Sequence, residues 1–457
     1  MRRRSPAVAI LAVAALAGCG SHGRASNATP PPRPHLTNAH ACSGIRGFKC
    51  AVLTVPLDHA GQARGTLQLA VGFETTSDAP RGVLLFLSGG PGQPGIRFIP
   101  RIRSWLGAAF AGYRLVMFDQ RGTGAGALRC PALQAAAGSS DLTVPPPGAV
   151  AACAREVGPS RRYFTTAETV ADIESLRIAL GASRLTLDGV SYGTFVAERY
   201  ALRYPGRVTR LVLDSVVPQQ GVDPFYLAGL EATARVLRSA CAEQRCPWDP
   251  AQDLAGVVRA RHNGPALLDA LVAESIVFPS FPGIPALLHA AREGEVKALD
   301  MFLEAVQRGE ATPADALSQG LHESTLCLDL SAPWNQQATR AQRAESLARA
   351  IAGMPASALF PFDRATAAGN GMARACLEWP PTTPPALDTG SPAGPLSPPA
   401  LLFAGERDLS TPLAWAREEA AHAARGRLII VPRTGHSVQL RARDPNVRRI
   451  LARFLQG

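Results

Sequence analysis

Leu185-Thr186-Leu187-Asp188-Gly189-Val190-Ser191-Tyr192-Gly193 is an apolar run that ends in a glycine-flanked serine, and a helical pattern from Phe195 to Tyr204 follows directly. Read as a strand, a tight turn and a helix, the stretch lifts one hydroxyl to the apex of a sharp bend above a sheet edge. Glycines on both sides permit that bend sterically. A serine between glycines is most often a plain turn former. The strand before it and the helix after it set this G-x-S-x-G apart and make Ser191 the candidate nucleophile.

A nucleophilic serine needs a base and an acid, and both stand downstream. Leu401-Leu402-Phe403-Ala404-Gly405 reads as a buried strand, with Asp408 just past its end. Leu428-Ile429-Ile430-Val431 reads as another, leading through Pro432-Arg433-Thr434-Gly435 into His436, with a helix from about Pro445 to Leu455. Strand ends are where open parallel sheets carry their chemistry. The order Ser191, Asp408, His436 is that of the α/β-hydrolases and differs from the chymotrypsin and subtilisin orders. In this reading His436 removes the proton from Ser191, and Asp408 holds the imidazole in the useful tautomer. Each role has a rival. Asp408 could simply cap a helix starting at Thr411-Pro412. Asp214, ending the run Leu211-Val212-Leu213, is a second acid, and His422, inside the Ala-rich stretch 413–424, a second base.

Val83-Leu84-Leu85-Phe86-Leu87 is a continuous apolar run that ends in Ser88-Gly89-Gly90-Pro91-Gly92. A glycine-rich turn there can offer a bare amide to a developing oxyanion. Gly90 is the expected donor, with Gly89 as its alternative, and the amide of Tyr192 is the second. Strand-like runs at 52–57, 67–73, 83–87, 113–118, 184–188 and 209–213 alternate in their later part with helical stretches at 165–180 and 192–204, which predicts an α/β fold, a mostly parallel sheet flanked by helices. From about 216 to 398 helical segments dominate and end in a Pro-rich stretch. That segment reads as a helical cap inserted between core parts 42–215 and 399–457. Trp334 and Trp379 either line its pocket or pack inside it.

The chain has 457 residues. It opens Met1-Arg2-Arg3-Arg4, continues apolar from Ala7 to Gly18 and then reaches Cys19. A basic start and an apolar run too short to span a membrane read as a signal peptide, 1–18. Leu16-Ala17-Gly18-Cys19 fits a lipobox, so lipid on Cys19, followed by a flexible tether through residue 41, would hold the protein on the outer face of the cell membrane; plain secretion is the alternative. Nine cysteines less Cys19 leave eight, an even number that suits disulfides in an exported protein. Spacing points to Cys42–Cys50, Cys130–Cys153, Cys241–Cys246 and Cys327–Cys376. No C-x-x-C pair or histidine cluster marks a metal site, and the chemistry needs no cofactor. The net charge is +11, or +8 without the leader, and 45 of the 47 basic residues are arginines scattered along the chain. No basic stripe marks a nucleic-acid surface. Nothing in the sequence sets the oligomeric state.

Several segments carry a family resemblance. Ser88-Gly89-Gly90-Pro91-Gly92 resembles the H-G-G-P-G loop of the prolyl iminopeptidase group of α/β-hydrolases, and Asp119-Gln120-Arg121-Gly122 resembles its D-Q-R-G segment. Cys50 to Asp58, Thr165 to Arg177 with its Asp172, Ser191-Tyr192-Gly193-Thr194, Leu211 to Asp214 and Gly405 to Pro412 are similar to the secreted tripeptidyl aminopeptidases of actinobacteria. The resemblance implies a serine exopeptidase acting on peptides with a free N terminus. Two positions depart from the iminopeptidase pattern. Ser88 stands where that group has histidine, and Leu409 follows the aspartate where several members have a glutamate that helps bind the substrate amino group. The anion for the substrate ammonium must then come from elsewhere. Glu323 and Asp329, which flank Cys327 in the cap, are candidates against the plainer reading as surface carboxylates. A carboxylic esterase or lipid-processing hydrolase would use the same triad, and a non-catalytic envelope lipoprotein is a reading of another class.

Overall fold

A sheet whose two faces are both covered needs apolar residues at every strand position, and the central runs of this chain meet that requirement. In the computed structural model, which describes residues 33–76, 78–387 and 393–457, nine strands form one sheet. They are β1 (Leu36–Ala41), β2 (Phe48–Pro56), β3 (Thr66–Glu74), β4 (Val83–Leu87), β5 (Arg114–Phe118), β6 (Leu185–Val190), β7 (Val208–Asp214), β8 (Ala400–Gly405) and β9 (Gly426–Val431). Their order is β1-β2-β3-β5-β4-β6-β7-β8-β9. β1, β2, β3 and β5 pair antiparallel; from β5 through β4 to β9 every pairing is parallel.

Alternation splits each strand between two cores. Leu85 and Leu87 of β4 pack with Val170, Ile173, Leu176 and Phe195 on one face. Leu84 and Phe86 pack with Ile99, Ile102 and Leu451 on the other. Truncating such a fully buried leucine to alanine costs about 2–5 kcal/mol. The sheet starts earlier than residue 42: Leu36–Ala41, expected as tether, forms an edge strand on β2, and the Cys42–Cys50 disulfide closes the turn between them. Its polar residues and the register shift between Thr37 and His40 hide the strand pattern in the sequence. The leader, Cys19 and the first part of the tether lie outside the described residues.

Between β7 and β8 the chain runs through helices from Leu227 to Glu378. Their core also takes in an earlier stretch. Leu133, Leu142, Val150 and Cys153 pack with Leu230, Val236, Leu268, Trp334 and Trp379, so the helical lobe draws on the segment between β5 and the helix Thr166–Ala179 as well as on 216–398. Both tryptophans are buried packing residues. The four disulfides join the pairs that spacing indicated. Cys130–Cys153 and Cys327–Cys376 lie within the lobe, and loops of 23 and 49 residues are worth about 3–4 kcal/mol each in the chain-entropy picture. Residues 34–457 form one compact unit.

The D-Q-R-G segment has a structural task. Arg121, 1% exposed, donates to both oxygens of Asp172 at 2.7 Å and to the carbonyls of Leu57 and Tyr163. It brackets the exit of β2, the loop after β5 and the helix Thr166–Ala179 behind the sheet edge.

Candidate active site

Ser191 is the single residue between β6 and the helix Tyr192–Arg203, at φ +57°, ψ −129°. A non-glycine residue in that region is strained, and such strain persists where the surroundings hold it. The surroundings here are tight: a Cβ on Gly193 would lie 2.4 Å from the Leu87 carbonyl oxygen, so only glycine lets the helix start against the end of β4. The Ser191 amide donates to the Asp214 carbonyl at 2.9 Å, and Thr194 Oγ1 donates to the Ser191 carbonyl at 2.7 Å.

Asp408 and His436 meet at the same sheet edge. His436 Nδ1–H donates to Asp408 Oδ2 at 3.0 Å, and both side chains are buried. Asp408 also accepts from the Thr411 amide at 2.9 Å and from Thr411 Oγ1 at 2.7 Å. It therefore caps and pairs at once. Burial opposes the charge on Asp408, yet the charge and hydrogen bond of His436, helped by Thr411, hold its pKa below the usual carboxylate range. Burial likewise pulls His436 down, and the charge and hydrogen bond of Asp408, with Asp214 behind, leave it above the ordinary imidazole range. Asp214, the rival acid, takes a different part. It accepts the amides of Val438 at 2.9 Å and Gln439 at 2.8 Å, while Ser215 Oγ accepts that of Ser437 at 2.8 Å. Burial pushes its pKa up to about 6 against those donors. Asp214 braces the loop that carries His436. His422, the rival base, ends the helix Leu413–His422 away from this cavity.

Ser191 and His436 line one cavity of about 260 Å³, together with Gly89 and Gly90. Ser88 Oγ donates to the Gln93 carbonyl at 2.9 Å and closes the glycine loop. Gly90 sits at φ +109°, where a Cβ would come 2.6 Å from the Gly92 nitrogen. A Cβ on Gly89 would touch Ser191 Cβ at 3.0 Å. Tyr192 supplies the first amide of its helix, one of those without an intrahelical acceptor. The loop and the helix end thus both offer amides beside the hydroxyl.

Glu323 and Asp329 are not part of that cavity or of the one joined to it. Both lie on the helix Gln319–Asp329, whose faces the sequence could not orient. Glu323 is buried 3.5 Å from the sulfur of Cys327, and burial raises its pKa to about 7. Asp329 accepts from the Thr166 amide and from Thr166 Oγ1, and Thr166 Oγ1 lies 2.6 Å from the Tyr192 hydroxyl. It therefore props the residue after the nucleophile from outside. Glu323 with Cys327 and Cys376 forms one cluster of metal-type donors, but the two sulfurs are joined in a disulfide and offer no thiolate.

Among the described residues, the one acid that lines the Ser191 cavity is Asp141, from a segment that the sequence does not mark. Asp141 lines it with 41% of its side chain exposed, 3.3 Å from His322 Nε2, while His322 Nδ1 lies 3.0 Å from the Pro91 carbonyl oxygen of the glycine loop. Asp141, Ser139, Ile276 and Ser410 also line a second cavity of about 510 Å³. Its lining includes Asp269, Glu274 and Glu310 as well as Val272, Ile276, Phe278 and Phe302. Asp269 accepts from Ser140 Oγ and Thr143 Oγ1 at 2.6 Å each. Burial raises Asp269 and brings Glu274 to about 7. Burial, with the charges of Asp269 and Asp141, brings Glu310 to about 8. The only clue in the sequence was the long stretch between β5 and the helix Thr166–Ala179, with its own pair of cysteines.

A strained serine on an elbow, a histidine paired with an aspartate, and a parallel sheet that ends at both define the class. The chain belongs to the alpha/beta hydrolase fold family, whose model matches residues 82–442. Among curated proteins it is similar to a tripeptidyl aminopeptidase of Streptomyces coelicolor, 34% identical over 208 residues, which are 40% of this chain and 38% of that protein. It is similar also to a proline iminopeptidase of Xylella fastidiosa, 34% over 104 residues, 23% of this chain and 24% of that one. A third relative is a serine protease of Mycobacterium tuberculosis, 28% over 200 residues, 39% and 38% of the two chains. The matched stretches thus span well under half of each relative.

Proposed function

We propose that the chain is an exported serine exopeptidase that removes short peptides or single residues from free N termini. The observation that carries this reading is the junction of the two cavities, where a nucleophile beside a paired histidine opens into a pocket walled by carboxylates. Those carboxylates repel one another and are desolvated, so an ammonium placed among them relieves both penalties. A cavity of about 510 Å³ is in the range of drug-sized ligand sites and suits a short peptide better than a lone residue.

In the reaction Ser191 Oγ attacks the scissile carbonyl and its proton passes to His436 Nε2. Asp408 stabilises the imidazolium. The amides of Gly90 and Tyr192 hold the oxyanion. His436 then protonates the leaving amine, the acyl-enzyme forms, and a water deprotonated by His436 releases the acyl fragment and restores Ser191. The basic start, the apolar run and Leu16-Ala17-Gly18-Cys19 support export and lipid on Cys19.

The apolar wall of the second cavity could equally seat an acyl chain, which is the ground for a second reading as a carboxylic esterase. One experiment separates them: cleavage of a peptide with a free N terminus, of its acetylated twin and of a short-chain ester, by wild type and Ser191→Ala. The expected result is a strong preference for the free peptide that Ser191→Ala abolishes, with activity fractionating to membranes or medium. Equal cleavage of the acetylated twin, or a preference for the ester, would overturn the exopeptidase reading.

A further inference from the structure

The Ser191 cavity has a second charged wall. Arg101, on the helix Ile99–Leu106, and Arg441, at the end of the helix Val438–Arg441, both line it. The two helices pack together through Ile99, Ile102 and Val438. The buried Arg121 pairs with Asp172 and the buried Arg407 with Glu243, whereas Arg101 and Arg441 are exposed where they line the cavity. Among the described residues neither the Arg101 nor the Arg441 side chain makes a hydrogen bond or an ion pair. Partial desolvation, then the like charge of Arg101, lowers the pKa of Arg441, and Asp408 only partly offsets them. Two exposed guanidinium groups without an ion pair, carried on packed helices beside one cavity, can receive an anion.

The position of the pair gives that anion its identity. The residues that join this cavity to the acid-walled one include Asp141 and neither arginine, whereas Arg441 faces a third cavity instead. A substrate whose ammonium end enters the acidic cavity runs past Ser191 with its leaving portion on the arginine side. We propose that Arg101 and Arg441 form a carboxylate-binding subsite for the leaving portion of the substrate, reading the C-terminal carboxylate of a short peptide. The inference rests on the exopeptidase reading for the direction of the chain. It makes the enzyme one for small peptides, held at both charged ends, rather than for the N termini of folded proteins. At about 260 Å³ the cavity leaves space beside the nucleophile for only a short leaving stub.

The test is calorimetric titration of Ser191→Ala, which binds without turnover, with three probes: tetraalanine bearing a free carboxylate, its C-terminal amide, and an amide with aspartate as last residue. The free acid is expected to bind about tenfold or more tighter than the amide, and Arg101→Gln or Arg441→Gln added to Ser191→Ala should erase the difference. A lysine at either position should restore part of it. Recovery of the lost affinity by the aspartate amide would show that a side-chain carboxylate is the group read, and would overturn the C-terminal assignment. Equal affinity for acid and plain amide, no binding of any probe, or a preference that survives loss of both arginines would overturn the subsite. Turnover of tetraalanine by wild type is scored separately. A protein that binds the acid through its arginines but does not cleave it loses the peptidase reading and keeps the site.

Discussion

The rim of the sheet and the helical lobe above it treat charge in opposite ways. At the rim each acid has its partners within the fold: Asp408 meets His436 and Thr411, and Asp214 meets the amides of Val438 and Gln439. In the lobe Asp269, Glu274 and Glu310, each with its pKa pushed up, line one cavity with Asp141. The two rim acids are satisfied within the fold, whereas among the described residues Glu274 and Glu310 of the lobe have no ion pair. On the proposed reading, chemistry falls to the strand ends and selectivity to the inter-strand insertions.

The sharpest way to break that division is at the rim itself. Asp408→Asn leaves His436 without its charge partner and disturbs the tautomer, and kcat should fall by about 10⁴-fold. Asp214→Asn loosens a loop and leaves the ring's partner in place, so its loss should be far smaller. Steady-state kinetics on one substrate decides. Comparable losses would erase the distinction between the acid that meets the imidazole and the acid that braces its loop.

The same contrast explains what could be read from the chain. The elbow, the strand ends and the order Ser191, Asp408, His436 were legible because a parallel sheet places its chemistry a residue or two beyond apolar runs that periodicity reveals. The four disulfides were legible because their partners lie near in sequence. Asp141 was not, because nothing local marks a loop whose position depends on the packing of Leu133 and Val150 against helices a hundred or more residues later. Glu323 and Asp329 misled for a related reason. Nearness to Cys327 in sequence says nothing about which face of a helix meets a cavity, and this helix turns Asp329 toward Thr166.

On the lobe side, Asp141→Asn removes a charge from the junction of the two cavities. A hydrogen bond to a charged group contributes about 1.5–3 kcal/mol, so kcat/KM for peptides with a free N terminus should drop by about 10–100-fold. The acetylated twin has no ammonium to lose and should be cut at an unchanged rate. A loss shared equally by both peptides would mean that Asp141 acts on the rim through His322 and the glycine loop.

The smallest effect tests the crowding alone. Glu310, at about 8, and Glu274, at about 7, hold protons more tightly in the folded chain than an unfolded carboxylate does. Between the unfolded value near 4.5 and those folded values the native state binds the extra protons, so its stability declines as pH rises through that window. Glu310→Gln cannot ionise. It should match wild type in thermal unfolding at pH 4 and melt slightly higher at pH 8, and a peptide with a free ammonium should narrow the gap by giving wild type the missing cation. A variant that melts lower than wild type at pH 8 would mean that Glu310 already has its cation in the free protein, and the lobe would then resemble the rim.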